Sequence, residues 1–130
     1  MIKDSKSAES LAKILSEALP YIQKFSGKIV VIKYGGSAMK ENKLRQNFAR
    51  DIALMRQIGI FPVLVHGGGP QIERNLKKNN IKSVFIDGLR KTDENSMKTI
   101  VKTLREVNGD IAELIKTWGA RTKTFNDVRE

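Results

Sequence analysis

Cysteine is absent from this chain, which excludes disulfides and thiolate metal sites. That absence fits a reducing compartment, so a cytoplasmic location is expected. No apolar run approaches the ~20 residues that a membrane-spanning helix needs. The amino terminus carries Asp4, Glu9 and Glu17, unlike a secretory signal or an acid-poor transit peptide. The sequence contains no internal repeat, low-complexity tract or linker, and no metal-ligand pattern. Nor does it hold a Lys/Arg run with interleaved aromatics of the kind that stacks on bases.

What the chain does have is positive charge. Lysine and arginine number 24 against 14 aspartates and glutamates, a net charge of +10. Such a field steers small anions. A nucleic-acid-binding protein is the alternative reading of the same charge. The basic residues are scattered along the chain, so a nucleic-acid partner is not expected. With 130 residues and 40% apolar content, the chain suits one globular domain with a modest core.

The chain is organised around Ile29 to Ser37. Four β-branched residues, Ile29 to Ile32, predict a strand buried on both faces, as in a parallel sheet. Lys33 then sits at the carboxyl end, where open α/β sheets bind ligands. Gly35 and Gly36 let the backbone come close to a ligand because no Cβ intervenes.

Ahead of that strand, Leu11, Ile14, Leu15, Ala18, Leu19, Ile22 and Phe25 fall at helical spacing. Ser7 and Ser10 are candidate N-caps for a helix beginning near Leu11, with Ser5 to Ser10 frayed. Pro20 predicts a kink or a second helix, and Ser26-Gly27 a stop. The segment is either an oligomerisation arm or a helix packed on its own domain.

Beyond the first strand, Glu41 to Ile58 reads as a helix with Leu44, Phe48, Ile52, Met55 and Ile58 facing the core. Ile60 to Val65 reads as a second strand. His66-Gly67-Gly68-Gly69-Pro70 then joins a strand to a helix, with proline at the first helical position. Backbone N–H groups of such a turn, with the helix dipole behind them, form an anion site. Its spacing is neither that of the Walker lysine loop nor that of the dinucleotide fingerprint. The preferred reading of His66 is structural.

A short helix, Gln71 to Asn79, is followed by a third strand, Val84 to Ile86, and a turn, Asp87 to Arg90. Arg90 stands out because a guanidinium fork holds a carboxylate at two points. Thr92-Asp93 caps a long helix, 93–118, with its stripe at Met97, Ile100, Val101, Leu104, Val107, Ile111, Leu114, Ile115 and Trp118. Gly109 inside it predicts a close helix crossing. Residues 122–130 read as a tail. Alternating strands and helices predict an α/β fold: an open, mostly parallel sheet with helices on both faces, preceded by an N-terminal helix. Lys33 to Gly36, Gly67 to Gly69 and Arg90 then meet at one sheet edge, in a pocket for a small molecule with two anionic ends.

The segments IKYGGSAM, FARDIALMRQIGIFPVLVHGGGPQIE, FIDGLRKTD and VNGDIAELI resemble the amino-terminal lobe of N-acetylglutamate kinases, in the amino-acid kinase superfamily. The resemblance runs from about Ala8 to Arg121. It divides the chain into a helical extension, 1–27, a substrate-binding lobe, 28–121, and a tail, 122–130. EALPYIQKF resembles the N-terminal extension of the arginine-inhibited, hexameric members.

The family reaction transfers the ATP γ-phosphoryl group to the side-chain carboxylate of N-acetyl-L-glutamate, in arginine biosynthesis. By the resemblance, Lys33 neutralises charge on the moving phosphoryl group. Gly35, Gly36, Gly67 and Gly68 donate backbone N–H bonds, Gly69 shapes the turn, and Arg90 holds the substrate α-carboxylate. Mg²⁺ arrives with ATP. A homo-oligomer is implied, through helix 93–118 and the N-terminal helix. The family's ATP-binding lobe, second lysine and organising aspartate have no counterpart in these 130 residues, so activity and arginine control of this stretch alone are not expected. The reading set against catalysis is a dimerisation or interaction module.

Overall fold

The computed structural model describes residues 4–36, 38–39 and 41–125. Ser37 of the first glycine turn and residues 126–130 of the expected tail lie outside the described residues. In order, the elements are α1 (Ser5–Phe25), β1 (Ile29–Tyr34), α2 (Asn42–Gln57), β2 (Phe61–His66), α3 (Gly69–Lys78), β3 (Val84–Ile86), β4 (Leu89–Lys91) and α4 (Glu94–Lys116).

β1 and β2 pair in parallel, Ile29 opposite Phe61 through Tyr34 opposite His66. A parallel pair needs a crossover, and α2 supplies it. Its buried residues are Ala49, Ile52 and Ala53. Ala49 and Ile52 join Tyr34, Met39, Val107, Ile111 and Ile115 in one core, so α2 and α4 pack their apolar stripes against one side of the sheet. Exposure alternates along both strands, as a period of two requires. α3 packs on α4 through Ile72 and Leu76. Asn75 Nδ2 donates to Thr103 Oγ1 across that contact, at 2.9 Å.

Several sequence expectations need correction. β1 is buried on one face, not two: Ile29 is 72% exposed and Val31 67%. The helices that face the sheet, α2 and α4, lie on the same side, so of the two faces expected to be covered the described residues cover one. The expected turn at Leu89 and Arg90 is instead strand β4, antiparallel to β3. Asp87 and Gly88 alone make the turn, with φ of 49° and 78°. Positive φ at both central residues is the two-residue hairpin geometry, which glycine accepts at no steric cost.

The N-terminal helix starts at Ser5 and not near Leu11, because Asp4 caps it, its Oδ1 accepting from Ser7 N at 2.7 Å. Pro20 lies inside that helix without ending it. Finally, Gly109 marks no close crossing: a Cβ there would meet nothing within 4 Å. Of the two readings offered for α1, packing on its own domain fails, since none of its residues is buried. Leu11, Ile14, Leu15 and Leu19 are exposed.

Candidate functional site

Lys33 lies one residue from the end of β1, exposed, on the face that also carries Ile29 and Val31. The next residue, Tyr34, is buried and stacks on Phe48 with ring centroids 3.9 Å apart. Its hydroxyl donates to the Ala38 carbonyl at 3.2 Å and so closes the turn that contains Gly35 and Gly36. Burial pushes the Tyr34 phenol up, which keeps it a donor at neutral pH.

The second glycine turn touches the first. A Cβ on Gly36 would stand 3.4 Å from Pro70 Cδ, and Gly67 N–H donates to the Tyr34 carbonyl at 3.3 Å. That N–H therefore extends the sheet ladder by one step. Gly68 is the N-cap of α3 and is buried. A Cβ on it would lie 2.9 Å from Leu104 Cδ2, so packing against α4 accounts for glycine at that position. No neighbour explains the others: a Cβ on Gly35, Gly67 or Gly69 would meet nothing within 4 Å.

α1 and α4 are capped by Asp4 and Asp93, each accepting a backbone N–H at 2.7 Å. α3 has no side-chain cap and no acidic residue in its first turn. Its positive end is left to whatever approaches the glycines. Gln71, in that first turn, has a buried Oε1 with no partner among the described residues.

Arg90 reaches this helix from β4. Its Nη2 donates to Glu73 Oε2 at 3.0 Å, and its Nη1 donates to Ser83 Oγ. Ser83 Oγ donates in turn to Glu73 Oε2 at 2.9 Å. Phe85, directly across the hairpin, lies under the guanidinium 4.6 Å from its ring centre. Those hydrogen bonds, the Ser83 one first, hold the Glu73 carboxyl below the usual range, so it is anionic at neutral pH. Glu73 is four residues past Gly69, about 6 Å along the helix axis.

The structure thus brings the two glycine turns together at the amino end of α3 and ties Arg90 to Glu73 of that helix, while Lys33 stands exposed on the outward face of β1, one residue before its end. His66 turns its ring onto its own neighbour, Nδ1 lying 2.9 Å from the Gly67 oxygen. Glu73, Ser83 and Phe85 were not visible as site residues in the sequence. The Asp87-Gly88 pair was the available signal for Phe85, since a two-residue loop sets it opposite Arg90. Nothing local signalled Glu73.

No group of three or more carboxylate or imidazole side chains could hold a metal ion among the described residues. A cleft of about 640 Å³ runs beside β2 up to His66, lined also by Arg56, Leu64, Ile111, Ile115 and Phe125. A polar one of about 440 Å³ lies between α3 and α4. The glycine turns can hold anionic groups and offset developing charge, which is what group transfer between anions requires.

Comparison with known proteins fits this arrangement. The chain is 54% identical over 108 residues to an acetylglutamate kinase of Aquifex aeolicus (strain VF5), covering 82% of this chain and 36% of that protein. It is 52% identical over 120 residues to the acetylglutamate kinase of Stutzerimonas stutzeri (strain A1501), covering 92% and 40%. The chain therefore spans about two fifths or less of the length of these relatives. Among solved structures, an N-acetylglutamate synthase from Neisseria gonorrhoeae, complexed with coenzyme A and N-acetyl-glutamate, superposes with a TM-score of 0.60 at 28% identity. That match covers 80% of this chain and 23% of the other. A crystal structure from Streptococcus mutans UA159 gives 0.62 at 30% identity, covering 71% and 37%. Residues 28–123 match the amino acid kinase family throughout, and the chain belongs to that family.

Proposed function

We infer that residues 28–121 are the substrate-binding lobe of an acetylglutamate kinase, with 1–27 a helical extension and 122–130 a tail. The reaction is transfer of the ATP γ-phosphoryl group to the side-chain carboxylate of N-acetyl-L-glutamate, for cytoplasmic arginine biosynthesis. One observation carries this reading: two touching glycine turns lie at the uncapped amino end of α3, with Arg90 bonded to Glu73 one helical turn further along it. The strong identity to acetylglutamate kinases supports the choice of substrate.

Arg90 would take the α-carboxylate with its fork. Backbone N–H groups of Gly35, Gly36, Gly68 and Gly69 would take the reacting carboxylate and phosphoryl oxygens, with Gly69 shaping the second turn and Gly67, whose N–H is taken by the Tyr34 carbonyl, tying that turn to β1. Lys33 would offset charge on the group in flight. Phosphoryl transfer needs little else from a protein than position and charge. In this reading the ATP site draws mostly on the part of the relatives beyond the matched stretch. The described residues offer no ligand set for Mg²⁺, so the ion would be held by the nucleotide phosphates.

Calorimetry with N-acetyl-L-glutamate tests the reading. Saturable binding to the 130-residue chain is expected. A folded sample that takes up no ligand at millimolar concentration would overturn it.

A homo-oligomer through α1 and α4 is part of the same proposal. The unburied apolar stripe of α1 supports it. Sedimentation should give a mass above that of one chain, and Ile14→Asp with Leu15→Asp should return it to the monomer value. A wild-type monomer would rule the arm out.

A further inference from the structure

We propose that Glu73 is a positioning residue for carboxylate recognition, fixing the Arg90 guanidinium through the Glu73–Ser83–Arg90 triangle. This rests on the reading of Arg90 as the group that binds the substrate carboxylate. Arg90 stands on a small hairpin whose other side chains are largely exposed: Val84, Phe85, Ile86 and Leu89 are 48–76% accessible. Among the described residues, little apolar packing holds such a hairpin in place. The Arg90 side chain is nevertheless only 18% exposed, and its restraints come from three different places. Glu73 belongs to α3, Ser83 to the segment after it, and Phe85 to the paired strand.

The geometry of the triangle matters. Ser83 Oγ and Glu73 Oε2 lie 2.9 Å apart, one acceptor for each terminal nitrogen of the fork. They use two of the five guanidinium donors and leave the Nε–H and one N–H on each terminal nitrogen for a second carboxylate. The acidic partner is exposed enough, at 55%, to add little to stability. Its work is to keep a long, rotamer-rich side chain in one place before the substrate arrives. Because Glu73 sits on α3, the fork is registered to the same helix whose amino end carries the glycine turns.

The test is a double-mutant cycle read by N-acetyl-L-glutamate calorimetry on the 130-residue chain. Glu73→Ala should weaken binding by about tenfold. Glu73→Gln, which keeps an oxygen acceptor at the same reach, should recover most of that loss. In an Arg90→Ala background, Glu73→Ala should change nothing further, because its effect travels through the guanidinium. A generally loosened fold would weaken binding in both backgrounds and would not be rescued by glutamine.

Wild-type affinity or tighter binding in Glu73→Ala would overturn the proposal; tighter binding would make Glu73 a competitor for the fork. Failure of the wild type itself to bind would overturn the functional reading, and this proposal with it. If Glu73→Ala does not fold by circular dichroism, Ser83→Ala carries the same cycle. Its loss of affinity should likewise vanish without Arg90, and additivity would count against the triangle.

Discussion

Arg90→Ala is expected to weaken N-acetyl-L-glutamate binding by about a hundredfold, the larger of the expected effects on ligand affinity. A charge-assisted, two-point contact is worth roughly 1.5–3 kcal/mol, and each 1.4 kcal/mol is about tenfold. Arg90→Lys should recover only part, because an ammonium keeps the charge and loses the fork. The side chain also touches Glu73, Ser83 and Phe85, so a weaker ligand could reflect a displaced hairpin. Comparing N-acetyl-L-glutamate with its α-amide separates the two. The wild type should prefer the acid strongly, and Arg90→Ala should bind acid and amide alike, and weakly. If Arg90→Ala keeps the preference for the acid, another cation holds that carboxylate, and the assignment of Arg90 falls.

The parts of this site that the sequence carried openly are those whose chemistry is local. A lysine at the end of a β-branched run, two glycine clusters after strands, and an arginine beside Asp87-Gly88 could be named from neighbours alone. The meeting of the two glycine turns followed from strand order, since parallel strands put their carboxyl ends on one edge; Arg90, on a hairpin that is a separate sheet, reaches α3 through side-chain hydrogen bonds instead. The partners of Arg90 could not be named so. Glu73 and Ser83 come to it when α3 and the hairpin fold back together, and no spacing rule links positions 73, 83 and 90. A similar limit applies to the fold. Ile29 to Ile32 announces a strand, yet four apolar residues in a row do not tell whether one helix layer or two will cover it. The described chain covers one, and Ile29 and Val31 face outward. At α1 the signal was present in the sequence: Asp4 precedes Ser7 by the three residues that an N-cap bond spans.

Leu76→Ala should produce the largest loss of stability of any single change considered, about 3 kcal/mol. Leu76 is 1% exposed and, with Ile72, is the buried face of α3. Truncation removes the transfer energy of its side chain and leaves a void that two helices cannot easily close. For a chain of this size the melting temperature should fall by roughly 10 °C. The control is Val31→Ala, equally apolar and in a strand but 67% exposed, which should cost no more than about 0.5 kcal/mol. Urea titration would check both, with the slope unchanged if the native state remains compact. The stability loss also bears on function. α3 presents the open glycine turn at one end and Glu73 one turn later, and its seat on α4 is Leu76, Ile72 and the Asn75–Thr103 hydrogen bond. Loosening that seat moves the anion site and the Arg90 anchor together. Leu76→Ala should therefore weaken N-acetyl-L-glutamate even where the protein is fully folded, and Val31→Ala should not. Equal affinities for the two variants would mean that α3 holds its position without the core beneath it.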